Sequence, residues 1–409
     1  MINRLWLLLL VLGAISAGYQ ALYLEHWQVF NEMAQSLFAM AKLSVEIAIG
    51  LLGVLALWMG IMNIAEKAGL LDSLAKRLTP VFQTLMPDVP AGHPALASVT
   101  MNLTANALGM DNAATPMGLK AMQDLQSLNP NKETATDAQI LFLVLNTSSV
   151  TLLPITVFVY RAQQGAANPT DVFIPILLAT LASTLVGLLC VAYAQKINLL
   201  RRQTLPLFAG LFALLLAFIG YLSTLTASGL EQFSTLSSGL VICGLLLGFA
   251  LYGTKQGTNV YDDFIEGAKG GVKVVVTLIP YLLAMLVAIG WLRASGALEV
   301  LLDGVRTLCV WLGWDARFVE ALPTALMKPL SGSGARAMMV ETMNTYGADS
   351  FAGRLASMIQ GSTETTFYVL AVYFGSVGIR NGRHAIVCGL AADAAGITAA
   401  IAAAYYFFG

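Results

Sequence analysis

Gln360-Gly361-Ser362-Thr363-Glu364-Thr365-Thr366 sets five consecutive hydroxyl or carboxylate side chains in the middle of an apolar stretch, Arg354–Gly375. That stretch has the roughly 20-residue length that crosses a bilayer as a helix. Earlier in the chain, Asn146-Thr147-Ser148-Ser149-Val150-Thr151 does the same inside Ala138–Tyr160, and a shift of 214 positions lays Ser148 on Ser362 and Thr151 on Thr365. A polar side chain buried without a partner costs roughly 1 to 3 kcal/mol. Two such runs at membrane depth are therefore expected to face each other or a ligand.

The match extends outward on both sides. A shift of 221 aligns Ala114 with Ala335, Met117 with Met338 and Met122 with Met343, and a shift of 227 aligns Ala41-Lys42 with Ala268-Lys269 and Leu55 with Leu282. The same shift lays Ala68-Gly69-Leu70-Leu71-Asp72 on Ser295-Gly296-Ala297-Leu298-Glu299. The offset falls in small steps, as loop deletions would make it. The chain is thus a duplication.

Composition sets the solvent. Of the 409 residues, 57% are hydrophobic and 11% charged, against roughly a quarter charged in a soluble domain. Net charge is −1 and no stretch is strongly basic, which removes the electrostatic footprint of nucleic-acid binding. Cys190, Cys243, Cys309 and Cys388 show no CxxC spacing and read as small buried apolar residues. His26, His93 and His384 stand apart near span ends, so no metal cluster is expected.

Hydropathy with charge as punctuation predicts an all-α polytopic membrane protein with about nine transmembrane helices. They run near Leu5–Leu24, Ser44–Ala65, Ala138–Tyr160, Val172–Ala194, Leu205–Thr224, Ser234–Tyr252, Val274–Leu292, Arg354–Gly375 and Ala385–Phe408. The first reads as a retained span rather than a cleaved signal peptide, because its apolar character continues through Leu24. Ile64–Leu85 and Arg293–Leu312 are amphipathic and suited to the interface. His93–Leu125 and Phe318–Tyr346 are apolar but broken by Gly, Asn, Ser and Pro, and read as two re-entrant hairpins lining a cavity. Placing Lys67, Lys76, Lys132, Lys196, Arg380 and Arg383 inside puts the N-terminus in the cytoplasm. Five crossings then separate the starts of the two repeats, which makes them inverted in topology, an arrangement that sets a midplane site between them.

The candidate solute-binding residues are Asn102, Asn106, Asn112, Thr115, Asn146, Thr147 and Ser148 in the first half, with Ser331, Ser333, Gln360, Ser362, Thr363 and Thr366 in the second. Half-helices beginning near Asn112 and Ser333 would turn free N–H groups and positive dipole ends to the midplane, which suits a carboxylate or another acceptor-rich solute. For any one serine or threonine the competing reading is helix–helix glue. Charge is more telling, since a centred Lys or Asp costs roughly 2.5 to 3.5 kcal/mol. Glu364, Lys328, Asp393 and Asp111 are the candidates for a charge pair or for carrying a coupling proton or sodium ion. No phosphate-binding loop, GxSxG elbow or zinc pattern is present, so neither enzyme chemistry nor another cofactor is expected. The expected partners are the bilayer of a bacterial inner membrane and a small polar solute, and a homo-oligomer is compatible with the sequence.

At these motifs the sequence resembles a known group. Residues 1–200, with Met62-Asn-Ile-Ala-Glu-Lys-Ala-Gly-Leu-Leu-Asp72, Asn112-Ala-Ala-Thr-Pro-Met-Gly-Leu-Lys-Ala-Met122 and Asn146-Thr-Ser-Ser149, look like spore maturation protein A. Residues 201–409, with Tyr252-Gly-Thr254, Asp349-Ser-Phe-Ala-Gly-Arg-Leu-Ala-Ser357 and Gln360-Gly-Ser-Thr-Glu-Thr-Thr-Phe-Tyr-Val-Leu370, look like spore maturation protein B. Both belong to the nucleoside-recognition, or Gate, group, named for its similarity to concentrative nucleoside transporters. The resemblance implies two Gate domains and a transporter-like core in which hairpins and broken helices form the site. Arg336, in Ser331-Gly-Ser-Gly-Ala-Arg336, departs from the small or apolar residue expected there. An ion-coupled transporter of a small polar solute (an amino acid, a cell-wall-derived metabolite or a nucleoside) and a non-transporting membrane scaffold for cell-envelope or spore-cortex maturation both fit this reading.

Overall fold

The computed structural model describes the backbone of residues 2–109, 111–149, 151–197 and 205–409, with the side chains of 2–5, 111–113, 205–208, 211–212, 227–228 and 231 left aside. Among the described residues every regular element is helical, and extended backbone pairs only at an isolated bridge between Thr134 and Asn381.

The first half runs α1 (Ile2–Tyr23), α2 (Val29–Lys67), α3 (Leu70–Leu85), α4 (Pro94–Ala107), α5 (Asp111–Ser127), α6 (Asp137–Ser148), α7 (Ile155–Gln163) and α8 (Phe173–Gln195). The second runs α9 (Leu205–Ser223), α10 (Ala227–Gln256), α11 (Val260–Ala294) and α12 (Ala297–Trp311). A 3₁₀ turn (Arg317–Ala321) then leads into α13 (Leu322–Met327), α14 (Gly332–Tyr346), α15 (Phe351–Ser362), α16 (Thr366–Ser376) and α17 (Ala385–Phe408). From α2 and from α11 the order is the same: a long helix, a short amphipathic helix, a helical hairpin, an interrupted helix and a long apolar helix. The joint between the first two elements is the same residue type in the same conformation. Gly69 (φ 75°) and Gly296 (φ 68°) stand at the left-handed N-caps of α3 and α12, a conformation that glycine adopts without the Cβ penalty.

Six helices among the described residues are long and apolar enough to cross a membrane: Trp6–Tyr23, Val29–Lys67, Phe173–Gln195, Gln232–Gln256, Val260–Ala294 and Ala385–Phe408. The chain is a multi-pass membrane protein. Two stretches that read as single spans are different in structure. Ala138–Tyr160 is divided between α6, which ends at Ser148, and α7, which begins at Ile155, and Arg354–Gly375 between α15 and α16 by residues 363–365. Pro154 contributes to the first break, since the residue before a proline avoids helical geometry. The polar runs are therefore helix interruptions rather than polar faces of continuous helices.

The chain forms two compact units, each taking segments from both halves. One comprises Met1–Gly60, Thr156–Pro169 and Ile265–Gln360. Within it the Arg161 guanidinium, 0% exposed, donates to the carbonyls of Ala348 (2.8 Å) and Pro169 (3.1 Å) and to Asp349 Oδ1 (3.2 Å). Asp349 Oδ2 in turn accepts from the backbone of Ala167 at 2.8 Å. Arg293, at the end of α11, lies 2.6 Å from Glu341 on α14 and 3.4 Å from Glu299 on α12.

The other unit comprises Ile61–Ile155, Thr170–Phe264 and Gly361–Gly409. Its spine is α8 against α17. Small residues allow the approach: a Cβ on Gly187 would sit 3.2 Å from that of Ala392, and Ser183 donates to the Ala392 carbonyl at 2.9 Å, as is usual where lipid removes the hydrophobic drive between helices. Cys190 and Cys388, unconnected by spacing, bring their sulfurs to 2.9 Å here. Beside the spine, the buried faces of α6 and α16 meet, with Phe142 stacked on Tyr373 at 5.6 Å.

Candidate functional site

Residues 146–151 and 361–366 both lie in the second of these units, and the structure joins them. The backbone N–H of Glu364 donates to the carbonyl of Thr147 at 2.7 Å. Helix α6 ends at Ser148, and Ser149 takes φ 29°, a positive value that residues with a β-carbon rarely adopt. Thr180 of α8 holds that turn, donating its hydroxyl to the Ser149 carbonyl and accepting from the Thr151 N–H at 3.3 Å. In the second break Thr363 and Thr365 are buried, as is Thr366 just after it, whereas the Glu364 side chain is exposed. Thr366, in the first turn of α16, donates to Asp393 Oδ2 at 2.6 Å, and Asp393 is 1% exposed.

The amides form a second layer. Asn106 Nδ2 donates to Asn146 Oδ1 at 2.7 Å, and Asn146 Nδ2 to the Phe142 carbonyl at 2.9 Å. Asn102 Nδ2 donates to the Ala114 carbonyl at 2.7 Å and approaches Tyr373 Oη at 3.4 Å. Asn102 thereby ties the two arms of the α4/α5 hairpin together and binds them to α16. Against this layer, Asn102 Oδ1 and the hydroxyls of Thr147, Thr363 and Thr365 are buried with no hydrogen-bond partner among the described residues. Such groups are rare in native proteins, where a water, an ion or a ligand commonly completes them.

Of the residues singled out by sequence, Asn102, Asn106, Thr115, Asn146, Thr147, Ser148, Ser362, Thr363, Glu364, Thr366 and Asp393 belong to this unit. The other unit holds Lys328, Ser331, Ser333 and Gln360. There Lys328, 2% exposed, donates to the Gln360 carbonyl at 2.7 Å, while Ser331 caps α14 by accepting from the Gly334 N–H at 3.1 Å. Ser333 lies 3.2 Å from the Ser331 hydroxyl, and Arg336 turns back to the Gly332 carbonyl at 3.3 Å. The side chains of Asp111 and Asn112 lie outside the described residues, although the backbone of both begins α5. Two contributors escaped the sequence reading. Tyr373 stands seven residues after Thr366, two helical turns along one face, and that periodicity could have flagged it. Thr180 carries no such signal. No group of three or more His, Cys, Asp or Glu residues suited to a metal ion occurs among the described residues.

The comparisons with known proteins agree with the duplicated layout. A family model described as Gate, nucleoside recognition, matches residues 48–163 and 275–380, more than half of the chain. Its two stretches begin 227 positions apart, the shift that aligns the long helices of the repeat. Spore maturation protein B of Bacillus subtilis (strain 168) is 44% identical over 165 residues, which span 40% of this chain and 91% of the relative. Spore maturation protein A of the same organism is 39% identical over 183 residues, 45% of this chain and 90% of the relative. Each relative accounts for nearly half of the chain, as a fusion of the two requires. No solved structure matches.

Proposed function

This chain belongs to the nucleoside-recognition (Gate) family, and from that premise we propose that it moves a small polar solute across a bacterial inner membrane. The observation that supports transport is the Glu364–Thr147 backbone bond, which brings one interrupted helix from each repeat together beside buried, unpartnered oxygens. Non-helical backbone at membrane depth is tolerated where it lines a site, and broken helices from paired repeats form the solute site of many secondary transporters. In this reading the α4/α5 and α13/α14 hairpins are re-entrant, the halves are inverted about the membrane plane and the N-terminus is cytoplasmic. Glu364 contacts the solute, and Asp393 or Glu364 carries the coupling proton or sodium ion. No catalytic step and no further cofactor is involved.

The test is uptake by the full chain in proteoliposomes, using labelled uridine, alanine and 1,4-diaminobutane under imposed proton or sodium gradients. Accumulation of any one, lost when the gradient is collapsed, supports transport. Absence of uptake for all three overturns it.

A second reading is a non-transporting scaffold for envelope or spore-cortex maturation. Asn106 and Asn146 satisfy one another rather than a ligand, and the relatives' names describe maturation rather than a solute. Normal maturation supported by a Glu364→Gln variant whose uptake is abolished would favour the scaffold.

A further inference from the structure

Among the described residues the open groups of the site that can only accept are the Asn102 carbonyl oxygen and the Glu364 carboxylate, while its unpartnered threonine hydroxyls can donate or accept. Each amide that has a described partner uses its NH₂ group inside the protein: Asn106 on Asn146, Asn146 on the Phe142 carbonyl, Asn102 on the Ala114 carbonyl. What remains on Asn102 is the carbonyl oxygen, buried and unpartnered. The Glu364 backbone N–H is spent on Thr147. Its carboxylate is exposed between two buried threonines whose hydroxyls have no partner, and the Thr147 hydroxyl is in the same state. Within this unit no described Lys or Arg pairs with Glu364. Nearby, Asp393 adds a second acidic group, already engaged by Thr366.

A carboxylate at membrane depth is stabilised by a positive partner, and a buried amide carbonyl by an N–H or O–H donor. A carboxylate-bearing solute, which the half-helix N-termini alone would favour, meets like charge at Glu364. The two acceptor-only groups, the Asn102 carbonyl oxygen and the Glu364 carboxylate, favour a donor instead. We propose that the solute is a small organic cation with several N–H donors, a protonated amine whose ammonium group sits against Glu364 and whose hydrogens reach Asn102 Oδ1 and the Thr147, Thr363 and Thr365 hydroxyls. Those hydroxyls then accept rather than donate, and the exposed carboxylate gains the partner that the chain does not supply within this unit. The assignment rests on the transport reading and specifies the substrate class of the same site.

The experiment is a thermal-shift titration of the purified full chain with a matched series at constant ionic strength: 1,4-diaminobutane, 1,4-butanediol and succinate, with sodium chloride compared against choline chloride. The expected result is a saturable rise of about 2 to 4 °C with the diamine and none with the diol or succinate. Apparent affinity for the diamine should fall about tenfold or more in Glu364→Gln, and less in Thr363→Val, with both variants remaining monodisperse. Equal stabilisation by succinate or the diol overturns the proposal. So does an equal effect of sodium alone, or a diamine response that survives in Glu364→Gln. Uptake of uridine or alanine without any diamine response sinks this inference and leaves the transport reading standing, whereas binding of the diamine without its uptake does the reverse.

Discussion

The backbone N–H of Glu364 and the carbonyl of Thr147, 2.7 Å apart, connect two helix interruptions that are 217 residues apart in sequence. Each break frees backbone groups that a continuous helix would satisfy internally, and in lipid such groups have no water to turn to. The bond is a structural condition for the two breaks to coexist. Glu364→Pro, which deletes this donor, is expected to destabilise the protein by about 1 to 3 kcal/mol by leaving the Thr147 carbonyl unsatisfied. Glu364→Gln keeps the bond and should unfold near the wild-type temperature without added solute. Unfolding in detergent, followed by circular dichroism, checks both.

Gly118 is where α5 approaches Tyr373. A Cβ at that position would overlap the Tyr373 hydroxyl and lie 2.8 Å from Asn102 Nδ2. Gly118→Ala should therefore cost about 1 to 3 kcal/mol of overpacking strain. Tyr373→Phe removes the oxygen at the point of overlap, so the double variant should recover part of that loss. A double-mutant cycle on unfolding free energies measures the coupling, and strict additivity would show that the contact does not constrain the hairpin.

Much of this arrangement is legible in one dimension, and the reason differs from place to place. The division of His93–Leu125 and Phe318–Tyr346 into paired shorter helices is visible because Gly, Asn and Pro cluster inside moderately apolar stretches, and the equivalence of Gly69 and Gly296 is visible because a repeat preserves what a left-handed cap requires. The breaks after Ser148 and after Ser362 are not legible, since serine and threonine either stay helical by bonding to a preceding carbonyl or unwind when a better partner exists. The partners that decide the matter, Thr180 for Ser149 and Glu364 for Thr147, are distant in sequence. Hydropathy averages over such a run and returns a single span. The spending of the amide donors is hidden for the same reason, because composition shows an asparagine but not which end of it is occupied.

Arg161 illustrates a charge whose role is internal. It is fully buried on α7 and spreads its guanidinium over the carbonyls of Ala348, Pro169 and Asn168 and over Asp349. Removing one member of such a set leaves the others desolvated, and Asp349 retains partial exposure, so Arg161→Leu is expected to cost about 3 kcal/mol, the lower end for broken buried pairs. Lysine supplies charge but not the planar fork, so Arg161→Lys should fall between the wild type and Arg161→Leu in thermal stability. Equal stability of the lysine variant and the wild type would show that charge alone suffices there.

His384 gives the protein a pH dependence with a definite sign. It lies just before α17, outside the span, and its pKa is lowered first by burial and then by the Arg383 cation, with Asp137 opposing. The Gln195 amide nitrogen lies 3.2 Å from His384 Nε2, a bond that needs the neutral imidazole nitrogen as acceptor. In the unfolded chain the same imidazole takes a proton near its ordinary pKa of about 6.5. Below that pH the unfolded state binds more protons than the folded state, so stability falls as pH decreases and levels off once the folded form also protonates. Between about pH 7.5 and 5 the unfolding midpoint of the wild type should therefore decline more steeply than that of His384→Gln, which has no titrating group there. Parallel slopes for the two proteins would show that His384 is solvated in the folded state and that the Gln195 contact does not hold it neutral.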